Sequence, residues 1–156
     1  MLRDIFSGLQ HIEILTRYID DPFLLGKILQ ATEVTITKEA DYMHVNEKDG
    51  SLFVGLEYLR NGELRHLYLD IIHELIHVRQ YLEGKELFDQ KFNYVDRPTE
   101  IEAYQCAVDE ARKIGMTEDT IADYLYVEWI TTKEHDRLLK RLGVRSPKPN
   151  ERSKAC

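Results

Sequence analysis

The five residues His-Glu-Leu-Ile-His at positions 73–77 are of types that bind a metal ion and use it in chemistry. On an α-helix, His73 and His77 are about one turn apart and project from the same face. Two imidazoles placed in this way can bind one zinc ion at about 2.0–2.1 Å each. Glu74 projects beside them, poorly placed as a ligand but well placed to take a proton from a water molecule at the metal. The pattern therefore predicts a zinc site with its own general base.

The alternative interpretation is a solvated polar helix face that contains two histidines by chance. The surrounding sequence favours a metal site, because the predicted helix, about residues 64–83, also carries an apolar stripe centred opposite the histidines. That stripe consists of Leu64, Leu67, Tyr68, Ile71, Ile72, Leu75, Val78 and Leu82. One face of the helix can then pack on a sheet while the other lines a cleft.

A catalytic zinc ion takes three protein ligands and keeps a fourth position open. In the predicted helix 99–114, Glu100 and Glu102 are the candidates for the third ligand. They project about 160° apart, so at most one of them can reach the metal. Glu100 shares its face with small side chains that allow close helix packing, at Ala103, Ala107 and Ala111. Glu102 follows Thr99 by three residues, which is typical of a capping box, so Glu100 is the preferred ligand and Glu102 the alternative.

These residues resemble a known family. The HELIH helix, followed by a helix that contains Thr-Glu-Ile-Glu-Ala, is similar to the gluzincin group of zinc metallopeptidases, and the spacing of the glutamates and alanines resembles the ImmA/IrrE type. In that type the first glutamate of the pattern binds the metal, which implies Glu100. The resemblance covers about residues 64–111 and implies a zincin-like fold. One departure is Tyr104, which stands where thermolysin-like members carry an aspartate that orients a histidine; Asp70 is a candidate substitute.

The function that we expect is zinc-dependent hydrolysis of a peptide or protein substrate, with Glu74 as the general base. The alternative is a zinc-binding regulatory or binding protein of the same fold without useful peptidase activity. A peptidase also needs a donor that stabilises the oxyanion of the transition state. The candidates are Tyr94, Tyr104 and His135.

Composition limits the other classes of function. The chain has 156 residues and a net charge of −7, which argues against nucleic acid or an anionic membrane as the main partner. The two cysteines, Cys106 and Cys156, form no disulfide framework and no metal-binding pair, which fits a reducing compartment. Without a secretion signal or a long apolar segment, the expected location is the cytoplasm. The oligomeric state is not indicated.

The order of predicted elements is typical of an α+β domain. We expect helices over 2–19, 22–30, 64–83, 99–114, 118–130 and 132–142, and strands over 32–37, 42–45 and 51–59. Thr99 and Thr131 are the candidate N-caps of two of these helices. The expected architecture is a small twisted sheet with the HELIH helix packed on it and C-terminal helices that supply Glu100. Residues 1–145 would form this single domain, and residues 146–156 a disordered tail.

Overall fold

A computed structural model of the protein describes residues 2–40 and 42–146, except for the side chains of Arg3 and Asp4. The first part is helical, with α1 (Leu2–Ile5), a 3₁₀ helix (Leu9–His11), α2 (Glu13–Tyr18) and α3 (Pro22–Ala31). The strands are β1 (Val34–Thr37), β2 (Met43–Val45) and β3 (Leu52–Gly55). The remaining elements are α4 (Leu56–Asn61), α5 (Leu64–Leu82), a 3₁₀ helix (Tyr94–Asp96), α6 (Pro98–Lys113), α7 (Glu118–Tyr124) and α8 (Thr132–Arg141). The prediction of an α+β fold is confirmed.

The expected single helix over residues 2–19 is wrong, because the chain breaks twice within it. Gly8 has a φ of +85°, a left-handed conformation that glycine adopts without steric cost, and Ile12 is extended. The short helical segments on either side of these breaks still bury their apolar side chains in one hydrophobic cluster. The apolar spacing therefore reflects a shared core and not a continuous helix.

The three strands form one mixed sheet in the order β1-β3-β2. The strands β2 and β3 form an antiparallel hairpin, with Met43 opposite Val54, whereas β1 runs parallel to β3. The strand predicted over 51–59 is too long, since β3 ends at Gly55 and the next residues form α4. Tyr58 and Leu59 pack against the core from this helix. Their apolar side chains are therefore compatible with a helix as well as with a strand.

Helix α5 is the central element, with a hydrophobic cluster on each side. Ile72, Leu75 and Ile76 pack with the sheet, as expected for the HELIH helix, and Leu69 belongs to a second cluster formed with α6 to α8. The predicted stripe is wrong at its two ends, because Leu64 is 78% and Leu82 is 42% exposed. A helix that is covered on both sides only in its middle has no need for apolar residues at its ends.

The helix α6 begins differently from the prediction. Arg97 is its N-cap residue and Pro98 occupies the first turn, where a missing N–H costs nothing, so the expected capping box of Thr99 is wrong. The Thr99 hydroxyl donates instead to the carbonyl of Leu87. By contrast, the capping box predicted at Thr131, at the start of α8, is confirmed.

The helix predicted over 118–130 is shorter than expected, since α7 ends at Tyr124. The turns that follow it carry Trp129 to the edge of two clefts. Among the described residues, no helix is both long and apolar enough to cross a lipid bilayer. The tail was predicted over residues 146–156. Of these, residues 147–156, which include Cys156, lie outside the described part of the chain.

Candidate metal centre

Helices α5 and α6 bring His73, His77 and Glu100 together. The two histidine Nε2 atoms are 2.9 Å apart, and Glu100 Oε2 lies 3.4 Å from that of His73 and 3.5 Å from that of His77. Ligand atoms around a tetrahedral zinc ion are about 3.3 Å apart when each bond is about 2.0–2.1 Å long. All three side chains are buried, and their ligand atoms form one compact group, which we call the cluster. The spacing therefore fits a single zinc-sized ion.

The carboxylate of Glu100 shows why a cation suits this position. Its Oε2 atom is buried and, within the described residues, has no well-formed hydrogen bond. Burial raises the pKa of Glu100, but the two imidazoles outweigh burial and hold that pKa well below its usual range. A buried, ionised oxygen without a donor is costly unless a positive charge faces it. The donor set of two imidazoles and one carboxylate is also one that zinc accepts in catalytic sites.

Gln80 determines which nitrogen of His77 faces the cluster. The Gln80 amide donates through Nε2 to the carbonyl of Thr99 at 3.0 Å and to Glu102 Oε2 at 2.8 Å. Its oxygen therefore points the other way, 2.7 Å from Nδ1 of His77. His77 must donate from Nδ1, which leaves the lone pair of Nε2 directed at the metal position. The sequence interpretation missed Gln80, although its place three residues after His77 was a usable indication.

Glu102 lies outside the group of potential ligands, and it forms no capping box with Thr99. It accepts a hydrogen bond from Gln80, and its carboxylate forms ion pairs with Arg79 at 2.5 Å and with Lys85 at 3.2 Å. Burial raises the pKa of Glu102, but hydrogen bonds from Arg79 and Gln80 outweigh it and lower the pKa to about 2. The ionised side chain therefore holds Gln80, and through it His77, in place.

The environment of His73 differs from that of His77. Its ring packs on Tyr104, with the centroids 4.3 Å apart, and within the described residues its Nδ1 has no hydrogen-bond partner. Asp70 does not serve as a substitute partner, because its carboxylate accepts hydrogen bonds from Tyr58 and Tyr124. Burial lowers the pKa of His73 and favours the neutral imidazole that a metal requires. On the Nδ1 side of the ring, packing on Tyr104 and not a hydrogen bond therefore orients His73.

Glu74 lies at the edge of the cluster without being part of it. Its side chain is buried, and the backbone of Val45 in β2 offsets part of the effect of burial on its pKa. Burial raises the pKa of Glu74 to about 8. A carboxyl group whose pKa lies near neutrality can both take up and release a proton. The geometry thus separates Glu74 from the three potential ligands, as the helical spacing predicts.

Two clefts adjoin at the cluster. The first, about 440 Å³, contains Arg97, His77 and Glu100, and we call it the arginine cleft. The second, about 280 Å³, contains Tyr58, Tyr104, Tyr124 and Tyr126, and we call it the tyrosine cleft. Six residues line both clefts: Tyr42, Met43, His73, Glu74, Tyr94 and Trp129. An extended ligand that occupies both clefts would pass directly beside Glu74.

The three predicted oxyanion donors lie in different places. Tyr94 lines both clefts, and its hydroxyl is 2.7 Å from that of Tyr104, which lines the tyrosine cleft. The structure does not bring His135 to either cleft; its Nε2 lies 2.8 Å from the carbonyl oxygen of Ala122. Burial raises the pKa of both Tyr94 and Tyr104 well above the usual value, so each hydroxyl keeps its proton. Tyr94 is therefore the best placed of the three.

Comparison of the chain with family models, with curated proteins and with solved structures finds no match. The resemblance to gluzincins rests on residues 73–77 and 99–103, two segments that the fold brings into contact through His73, His77 and Glu100.

Proposed function

We propose that the protein is a zinc-dependent peptidase of zincin-like fold that hydrolyses peptide bonds in a peptide or protein substrate. The observation that carries this proposal is the convergence of His73, His77 and Glu100, with Glu74 beside them at the junction of two clefts. Three buried ligands and a separate carboxyl group are what metal-assisted hydrolysis requires. Two adjoining clefts give room for a chain on both sides of the scissile bond.

The residues of the chain have distinct roles in this proposal. Zinc bound at the cluster would polarise the scissile carbonyl and lower the pKa of the attacking water to about 7. Glu74 accepts the proton of that water and then donates it to the leaving amine. Burial raises the pKa of Glu74 in the metal-free site, and a zinc ion beside it would lower that pKa and so favour the ionised form that takes up the proton. Tyr94, with a protonated hydroxyl at the junction of the clefts, is the first candidate to stabilise the oxyanion, and Tyr104 is the second.

The alternative is a zinc-binding protein without peptidase activity. Structural zinc sites are usually closed by four protein ligands. Among the described residues the group of potential ligands has three members, and all three also line the arginine cleft. A purely structural site would have no use for the buried Glu74. These observations favour a peptidase over a zinc-binding protein without activity.

The replacement Glu74→Gln tests the proposal. The variant should keep the zinc content of the wild-type protein and lose cleavage of a peptide library by at least about 10²-fold, the scale of general base catalysis. Glu86→Gln is the matched control, because Glu86 is exposed and lies in neither cleft. Cleavage by the variant at the wild-type rate would contradict the role of Glu74. A wild-type protein that binds zinc but cleaves no member of the library would favour the alternative.

A further inference from the structure

Arg97 places a positive charge in the arginine cleft that no other described residue neutralises. Its guanidinium forms no ion pair and no hydrogen bond with the described part of the chain, and its Nε is fully buried. The neighbouring arginines behave differently, since Arg137 and Arg141 both pair with Asp96. In a chain with a net charge of −7, an arginine without an acidic partner beside a group of potential metal ligands requires an explanation.

Two aromatic rings hold the Arg97 side chain in the cleft. The central guanidinium carbon lies 5.8 Å from the ring centroid of Phe88 and 5.8 Å from that of Tyr94. Such contacts fix the planar group and use none of its N–H donors. Arg97 also ends the segment before α6, three residues ahead of Glu100, so its backbone is anchored to the helix that carries a potential metal ligand. The fork of donors is thus positioned near the cluster with its hydrogen-bonding capacity unused.

We infer that Arg97 binds a carboxylate of the substrate; this inference rests on the proposed peptidase function. A planar carboxylate matches the guanidinium fork, because two parallel N–H···O bonds can form at once. In a peptide, such a group is either the chain-terminal carboxylate or the side chain of aspartate or glutamate. Glu39, which lines the same cleft, is exposed and forms no ion pair with Arg97, so it leaves the arginine available.

The charges of the tyrosine cleft indicate on which side of Glu74 the substrate carboxylate binds. Its lining includes Asp70, Asp123 and Glu128 and no lysine or arginine. A substrate carboxylate is disfavoured there by like-charge repulsion and favoured in the arginine cleft. Arg97 therefore determines on which side of Glu74 an acidic group of the substrate lies, and so contributes to the choice of the scissile bond.

The test compares short peptides that carry a glutamate at each position in turn with the same peptides carrying glutamine, each with a free or an amidated C-terminus. Zinc-loaded wild-type protein should prefer one set with a carboxylate by about 10- to 100-fold in kcat/KM, the scale of a charge-assisted hydrogen bond. Arg97→Gln should abolish that preference and leave the zinc content unchanged. Arg97→Lys, which keeps the charge but not the fork, should retain only part of it. Sensitivity to glutamine identifies a side chain, and sensitivity to amidation identifies the chain terminus.

Arg17→Gln is the matched control, because Arg17 also contacts a tyrosine ring, at 6.0 Å, but lies in neither cleft. Calorimetric binding of the same peptides to Glu74→Gln protein, with and without Arg97→Gln, gives a second measurement that does not require cleavage. A carboxylate preference that survives Arg97→Gln, or its absence in both binding and cleavage by the wild-type protein, would overturn the inference. Carboxylate-dependent binding without any cleavage by the wild-type protein would support it while contradicting the proposed peptidase. If Arg97→Gln fails to fold by thermal melting, Arg97→Lys decides in its place.

Discussion

The side-chain oxygen of Gln80 lies 2.7 Å from Nδ1 of His77, on the side of the imidazole away from the potential metal position. This contact fixes the tautomer of His77, and partners of this kind commonly contribute a factor of about 10 to 100 in metal affinity. Gln80→Leu should therefore weaken zinc binding by that factor in a competition titration. His77→Ala, which removes the ligand itself, should abolish the binding of about one zinc per chain.

The control for Gln80→Leu is Gln105→Leu, since the amide of Gln105 donates to Asp109 in the same way without contacting the cluster. Equal zinc affinity of the Gln80 variant and the wild-type protein would show that the tautomer of His77 does not depend on Gln80.

Replacement by alanine should impair zinc binding at Glu100 and stability at Glu102. Glu100→Ala removes a potential ligand and should abolish stoichiometric zinc binding and activity. Glu102→Ala keeps all three ligands but leaves the buried guanidinium of Arg79 without its nearest carboxylate, which should cost about 1–3 kcal/mol of unfolding free energy. Zinc titration and thermal melts of the two variants distinguish the effects. Loss of zinc from the Glu102 variant with retention by the Glu100 variant would reverse the assignment.

The low pKa of Glu102 predicts an acid-dependent contribution to stability. The pKa is about 2 in the folded protein against an ordinary value of 4.5, so the ionised side chain stabilises the fold above about pH 4.5. That contribution is lost as the pH falls from 4.5 towards 2. The difference in unfolding free energy between metal-free wild-type protein and Glu102→Gln should therefore shrink across this range. A difference that stays constant with pH would contradict the ion pairs described for Glu102; Glu86→Gln is the control.

Replacing Tyr94 by phenylalanine tests the assignment of the oxyanion donor. The variant keeps the ring that contacts Arg97 and Trp129 and loses only the hydroxyl. We expect kcat to fall by about 10²- to 10³-fold with zinc retained, the effect of removing one donor to an oxyanion. Tyr68→Phe is the control, because the hydroxyl of Tyr68 donates to Glu110 outside both clefts. If only Tyr104→Phe lowers kcat, the donor is Tyr104.

Residues that act within one helical turn could be found from the sequence, and residues that act across the fold could not. The i, i+4 spacing of His73 and His77 and the alanine face of Glu100 are local periodicities, and the structure brings all three side chains together. The role of Glu102 depends on Arg79, in another helix, which competes successfully with the local capping pattern of Thr99. Local rules cannot resolve such a competition, because its outcome depends on how α5 and α6 are aligned.

The positions of Arg97, Trp129 and Tyr58 also depend on contacts across the fold. Arg97 lies outside the elements expected from the sequence, and its lack of an acidic partner is visible only when the whole cleft is assembled. Trp129 was expected inside a helix, whereas the turns after α7 carry it to the cleft edge. The segment around Tyr58 has residues that suit a strand and a helix alike, so its helical conformation depends on packing and not on its own composition.

The contacts of Trp129 with Tyr42 and Tyr94, with ring centroids 5.5 and 5.9 Å apart, lie where the two clefts adjoin. Trp129 is half exposed, and it is the only tryptophan in the chain. Any molecule that binds in both clefts changes the polarity and the solvation around this indole. The protein thus has an intrinsic fluorescent reporter beside its candidate metal centre, through which the arrival and departure of unlabelled peptides can be followed in real time.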